Sequence, residues 1–277
     1  MKVNVISDLH LEFQDLILPG GDVLILSGDV CEAKNVKADT YDSNGVTFSF
    51  ERKGHRPDRY YRFFKEECSK YRHVLYVMGN HEHYGFRFDK TYQHLKDNLP
   101  SNIVLLEKEQ VEIEGVIFLG ATLWTDCNNG DPITMFNLQQ SMNDYRVIQN
   151  YYADKNQYYK LVPDFTYKVH KSTLEYFKKQ LELYRDKKVV VVTHHSPSKQ
   201  SIKPKYKGDY HMNGGYSSNL EQFILDHPQI KFWTHGHTHD TFNFFVGDCQ
   251  IICNPRGYVG YEERANEFDP TIGFDID

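Results

Sequence analysis

The sequence contains no run of 18 apolar residues, so no transmembrane helix is expected. It contains no Cys-x-x-Cys pair, which argues against a thiolate zinc site. Basic residues are not in surplus: 32 Lys and Arg face 38 Asp and Glu, a net charge of −6. Proteins that grip many nucleic-acid phosphates usually carry the opposite balance, so an extended nucleic-acid partner is not favoured, with a local basic patch left open. The cysteines (Cys31, Cys68, Cys127, Cys249, Cys253) are odd in number and scattered. That argues against a disulfide framework and for a reducing, cytoplasmic setting. The first residues, Met-Lys-Val-Asn-Val-Ile, enter a strand pattern directly and lack the features of a signal peptide. Repeats and Gly/Ser- or Pro-rich linkers are also missing, so a single domain over residues 1–277 is expected.

What remains is a chain long enough for a substantial core, with 40% hydrophobic residues. Short apolar, β-branched runs recur at 3–6, 23–26, 74–77, 116–119, 189–192 and 232–233, and read as buried strands. Between them, 169–185 repeats His170, Leu174, Phe177, Leu181 and Tyr184 at helical spacing. Weaker helices fit 59–70, 89–98 and 217–226. Glu114-Gly115 and Gly247-Asp248 read as hairpin turns. The mixture predicts an α/β fold with mixed sheets. Two segments look like excursions: 34–58, polar and aperiodic, and 126–166, Tyr-rich and irregular apart from a short helix near 132–142. A segment as long as the second reads as an insertion that serves as a lid or binding loop.

The chain has fourteen histidines, and several stand where predicted strands end. The runs lead into Ser7-Asp8-Leu9-His10, Gly28-Asp29, Gly79-Asn80-His81-Glu82, Thr193-His194-His195 and His235-Gly236-His237-Thr238-His239. In open α/β sheets, ligands bind at the carboxyl ends of strands, so these side chains are expected to meet there. Asp8 and His10, and likewise His237 and His239, are two residues apart and point to one side of an extended chain. Asp8, His10, Asp29, Asn80, His194, His237 and His239 make seven N/O donors, too many for one tetrahedral zinc and suited to two divalent ions sharing a carboxylate. Without sulfur in the set, Mn, Fe or Zn is favoured over copper. His170 is the contrasting case, packed and hydrogen-bonded on an apolar helix face. His55, His73, His83, His94, His211 and His227 have no strand-end context and read as surface or structural.

In order and spacing, these motifs resemble the calcineurin-like metallophosphoesterases: Asp-x-His, Gly-Asp, Gly-Asn-His-Asp/Glu, His and Gly-His-x-His, from Asp8 to His239. The segments 121–126, 142–146, 192–197 and 253–258 further resemble a bacterial and phage group of mostly unassigned substrate. The resemblance implies a four-layer α/β/β/α sandwich of two mixed sheets flanked by helices. It assigns Asp8, His10 and His239 to one metal, Asn80, His194 and His237 to the other, and Asp29 to both, along with a bridging water or hydroxide that attacks phosphorus. It makes His81 the acid or transition-state donor, worth about 10²–10⁴-fold. His195 stands behind the metal or faces substrate. Glu32 is a candidate to orient His81.

The second motif, Gly28-Asp29-Val30-Cys31-Glu32-Ala33-Lys34, lacks the arginine of the phosphoprotein phosphatases, which argues against a protein substrate. Arg146 and Arg256 are candidate phosphate forks. Tyr84 and Tyr145 are candidate stacking surfaces, and Lys199, Lys203, Lys205 and Lys207 an anion-steering run. The expected activity is hydrolysis of a small phosphomonoester, phosphodiester or nucleotide. The alternatives are a nuclease on single strands using the same site, and a non-catalytic scaffold, against which the complete donor set argues.

Overall fold

The computed structural model describes residues 1–37 and 56–277. His55 and most of the 34–58 excursion therefore lie outside the described residues. One sheet holds β1 (Lys2–Ile6), β2 (Gly21–Ser27), β3 (Tyr71–Val77) and β4 (Ile103–Leu105) in parallel, with β13 (Gly273–Asp275) antiparallel beside β1. The second sheet runs in the order β11 (Phe242–Val246), β12 (Cys249–Cys253), β10 (Ile230–His235), β9 (Val189–Thr193), β6 (Val116–Ala121), β5 (Glu109–Ile113). Its centre is parallel and both edges are antiparallel hairpins. Glu114-Gly115 turns the β5–β6 hairpin with φ of 49° and 84°, the pair of positive values that a tight two-residue turn demands.

Side-chain alternation shows why the central strands read as continuous apolar runs. Leu24, Leu26, Val74 and Tyr76 face outward onto Tyr60, Phe63 and Leu95. Val23, Ile25, Leu75 and Val77 face inward and meet Phe118, Val190 and Val192 of the second sheet. Ile117, Leu119, Val189 and Val191 face out the other side onto Phe177 and Leu181 of the helix Pro163–Leu183. Both faces of both sheets are buried, which is the four-layer α/β/β/α arrangement.

Helix limits depart from the sequence reading for local reasons. The long helix begins at Pro163, whose fixed φ suits a first turn, and buries His170, Phe177 and Leu181. The 59–70 helix is regular only over Arg56–Arg62, then passes through a wide turn at Phe63–Glu67 and a tight one at Cys68–Lys70. The 217–226 helix shrinks to Glu221–Leu225. Ser218 N donates instead to Ser196 O and Leu220 N to Pro197 O, which pins that stretch to the loop after β9.

Segment 126–166 is not irregular. Asp131 caps the helix Pro132–Ser141 by accepting from Ile133 N and Thr134 N. A tyrosine-rich hairpin follows, β7 (Gln149–Tyr152) with β8 (Gln157–Lys160). Tyrosines on successive positions hide the alternation by which a strand is read. Trp124, Cys127, Leu138, Tyr145, Ile148 and Leu161 form a cluster of their own here. Among the described residues, no helix is long and apolar enough to cross a membrane.

Candidate metal centre

The carboxyl ends of β1, β2 and β3 and those of β9 and β10 come together at one rim. The loop after β12 stitches the sheets there: Ser7 N donates to Asn254 O, Arg256 N to Ser7 O and Gly257 N to Asp8 O, at 2.9–3.1 Å. Asp8, His10, Asp29, His237 and His239 all take left-handed backbone, with φ from 44° to 68°. The extended chain expected for the Asp-x-His and His-x-His pairs is thus corrected. Each such non-glycine residue costs about 1–3 kcal/mol and persists only where its surroundings over-determine it. Here Asp8 N bonds Gly28 O and His10 N bonds Asp29 O, which locks the first loop to the second. Gly28 is required for a different reason: a Cβ there would overlap the His194 ring.

The donors form three overlapping groups, each within 4.8 Å: Asp8–His10–His239, His10–Asp29–His81 and Asp29–His194–His237. Their proton inventory tests whether cations fit. His194 Nδ1 lies 2.8 Å from the Ser27 carbonyl, which can only accept, so Nδ1 carries the proton. In the neutral ring Nε2 is then a lone pair, and it faces Asn80 Oδ1 at 3.0 Å and Asp29 Oδ2 at 3.4 Å. Likewise Nδ1 of His10 faces Glu12 Oε1 at 3.2 Å, and Nδ1 of His239 faces Glu262 Oε2 at 2.9 Å. Their Nε2 atoms confront each other at 3.1 Å, with Asp8 Oδ1 3.4 Å from that of His239. His237 Nε2 is buried without a partner. With these rings neutral, acceptors converge on acceptors and need positive charge between them, so this donor set fits divalent cations, oriented from behind by carboxylates and carbonyls.

The ionisation of the protein alone carries the same message. Burial by itself raises the Asp29 carboxyl, yet His194, His81 and His10 pull it well below the ordinary carboxylate range. Burial opposes charge on His239, but Asp8 and Glu262 outweigh it and push its pKa up to about 10. His237, by contrast, is held well below its ordinary value, chiefly by burial and then by His195 and His194.

Asp144 is a participant that the sequence reading passed over. It is buried, and its Oδ1 accepts from Asn80 Nδ2 at 2.8 Å and from Tyr84 OH at 2.7 Å. An ionised carboxylate only accepts, so it holds the amide nitrogen of Asn80 and turns Oδ1 toward His194. Asp144→Asn replaces this acceptor-only carboxylate with a group that both donates and accepts, so the Asn80 amide is no longer fixed in one orientation. Calorimetric titration with Mn²⁺ should then show affinity reduced about 10–100-fold, with little change in unfolding of the metal-free protein. Unchanged affinity would remove Asp144 from this role.

His81 lies on the cavity wall, stacked on Tyr84 with ring centroids 4.0 Å apart. Its Nε2 is 3.3 Å from Tyr258 OH and 4.0 Å from Asp29 Oδ2. The carboxylate behind it is Glu12, 3.7 Å from Nδ1, and not Glu32, which pairs with Asn35 and Lys34. Glu82 ties two motif loops together by accepting from Val30 N at 2.7 Å, Gly79 N at 2.6 Å and Tyr76 OH at 2.6 Å.

Of the candidate substrate contacts, three have protein partners in the structure, His195 in its alternative place behind a proposed metal ligand. Arg146 is exposed, and its guanidinium donates to the Gln140 carbonyl. Arg256 is buried and donates to the carbonyls of Gln14 and Asp15 at 3.0 and 2.8 Å, holding the rim loop together. His195 is buried behind His237, donates Nδ1–H to Thr122 O and stacks on Trp124. None of the three lines the cavity. Tyr145 is core, its hydroxyl on Thr166, whereas Tyr84 does line the cavity. Of the lysine run, Lys203 alone reaches the cavity wall, while Lys199 bonds Asn128 Oδ1. His170 is packed as expected, on the Leu123 carbonyl.

Comparison with known proteins places this geometry. The family model for calcineurin-like phosphoesterases matches residues 1–241. The protein L509 of Acanthamoeba polyphaga mimivirus is 30% identical over 232 residues, 78% of each chain. A UPF0046 protein of Caenorhabditis elegans is 30% identical over 135 residues, 44% of this chain and 39% of its own. Among solved structures, the phosphopantetheinyl hydrolase PptH of Mycobacterium tuberculosis superposes with a TM-score of 0.62 at 14% identity, over 93% of this chain and 89% of its own. At that identity the likeness is one of fold.

Proposed function

The chain belongs to the calcineurin-like phosphoesterase family and is a metal-dependent phosphoester hydrolase, and we propose that it uses a two-cation centre to cleave a small phosphomonoester, phosphodiester or nucleotide. The observation that carries this reading is the overlap of the donor groups, which run from Asp8 through His10 and Asp29 to His194 and His237. Asp8, His10 and His239 would hold one cation, Asn80, His194 and His237 the other, with Asp29 between them. Bound there, divalent ions supply Lewis acidity, lowering the pKa of water and neutralising phosphoryl charge.

The protein's own part is orientation and proton placement. Ser27 O, Glu12 and Glu262 fix which nitrogen of His194, His10 and His239 faces the centre. Asp144 does the same for the Asn80 amide. His81 presents its imidazole to the cavity and delivers a proton toward the leaving oxygen. Ser141, Met142, Asn143 and Asp144 line the same cavity, which supports a lid-like role for the 126–166 insertion. The cysteines within the described residues are unpaired, in keeping with a cytoplasmic protein.

Purified protein stripped with a chelator and refilled with Mn²⁺, Fe²⁺ or Zn²⁺ should recover cleavage of p-nitrophenyl phosphate or its diester. The ion should also raise the unfolding temperature: a hundredfold excess over Kd stabilises by about 2.7 kcal/mol, which is several degrees for a chain of this size. A protein that neither gains stability with any ion nor cleaves any member of a broad phosphoester panel would overturn the reading. Faster cleavage of single-stranded oligonucleotides than of nucleotides would move the assignment to a nuclease.

A further inference from the structure

Most of the wall of the cavity beside the donors, about 470 Å³ in volume, is not ligand. Tyr206, Met212, Tyr216, Met142 and Ile202 are among the lining residues. The Tyr216 ring lies 4.7 Å from that of His237, so this wall begins at the donor cluster itself. Tyr258, also a lining residue, packs 4.7 Å from His239. The volume is that of a site for a drug-sized organic group.

Charge narrows what such a group can be. Apart from the histidines, Lys203 is the one cationic side chain among the described lining residues, against Asp144 and Asp209 once Asp29 is counted with the cations and Glu262 with His239. Among the described residues, no arginine lines the wall. Once the cations hold one phosphoryl group, a second anionic group on the substrate would meet net negative charge.

We infer that this cavity is a leaving-group subsite for an uncharged, ring-bearing alcohol that packs against the tyrosine and methionine side chains of this wall. The inference rests on the hydrolase reading above and narrows it to substrates with one phosphoryl group and a neutral, amphipathic remainder. Polyphosphates, bisphosphates and nucleic-acid strands do not fit this wall.

The test uses the Mn²⁺-loaded full chain. kcat/KM is measured on nucleoside and aryl monophosphates, on glycerol phosphate, on a nucleoside bisphosphate and on a short oligonucleotide. The best ring-bearing monophosphate should exceed both glycerol phosphate and the bisphosphate by roughly tenfold or more, the worth of a stacking surface. Tyr206→Ala should lower the ratio of kcat/KM between that ring-bearing substrate and glycerol phosphate by roughly tenfold. Tyr206 is half exposed at the rim, so its removal leaves the core intact. In a binding arm, the corresponding uncharged alcohol alone should stabilise the wild-type protein against heat more than it does Tyr206→Ala. Equal rates on all monophosphates, or a preference for the bisphosphate or the oligonucleotide, would overturn the subsite and leave the hydrolase standing. Failure to cleave any of these, or bis(p-nitrophenyl) phosphate, would overturn both.

Discussion

Asp29→Asn should abolish hydrolysis, with kcat/KM down by at least about 10³-fold, the upper end of what losing one electrostatic contributor costs. Asp29 is the carboxylate shared by two of the three donor groups. Its Oδ1 accepts from His81 N at 2.8 Å and its Oδ2 faces His194 Nε2 at 3.4 Å. The amide keeps the size of the side chain, its carbonyl can still accept from His81 N, and asparagine tolerates the left-handed backbone at this position, where φ is 53°. What it loses is the negative charge and the second oxygen acceptor. Elemental analysis should therefore show at least one ion per chain lost while circular dichroism stays that of the wild type. A variant with full metal content and wild-type turnover would show that Asp29 is not the shared ligand, and the two-cation centre would go with it.

His81→Ala should lower kcat about 10²–10⁴-fold and leave metal content unchanged. Burial disfavours the imidazolium, but the carboxylates of Asp29 and Glu12 outweigh burial and raise its pKa, which favours the form that can donate. The loss should depend on the leaving group: large for an alkyl phosphate, whose oxygen needs a proton to depart, and smaller for p-nitrophenyl phosphate, whose oxygen does not. That dependence separates a proton donor from a structural residue. Equal losses on both substrates would deny the role. Loss of an ion would instead make His81, which groups with His10 and Asp29, a ligand.

The legible part of this protein was the part written in short stretches of chain. Val23 to Leu26 and Val189 to Val192 read as strands because each strand is buried on both faces and leaves an unbroken apolar run. The donors stood out because each follows such a run with a small residue close by, and Gly28 shows why: its missing Cβ leaves room for the His194 ring. The hairpin β7–β8 was illegible because tyrosine faces both ways along it. The partners of Arg146 and Arg256 were not legible because a guanidinium looks the same in sequence whether its partner is a phosphate or the carbonyls of Gln140, Gln14 and Asp15.

By itself the sequence determined which metal-capable side chains follow which strands, and in what order, because apolar runs and strand-end motifs are local properties of the chain. The tertiary structure alone decided which acid stands behind which histidine: Glu12 behind His10 and His81, Glu262 behind His239, and Asp144 behind the Asn80 amide. Several of those pairings join loops far apart in the chain. A hydrogen bond forms where folding brings a donor within about 3 Å of an acceptor, and for residues 64 positions apart, such as Asn80 and Asp144, no spacing in the sequence records that distance.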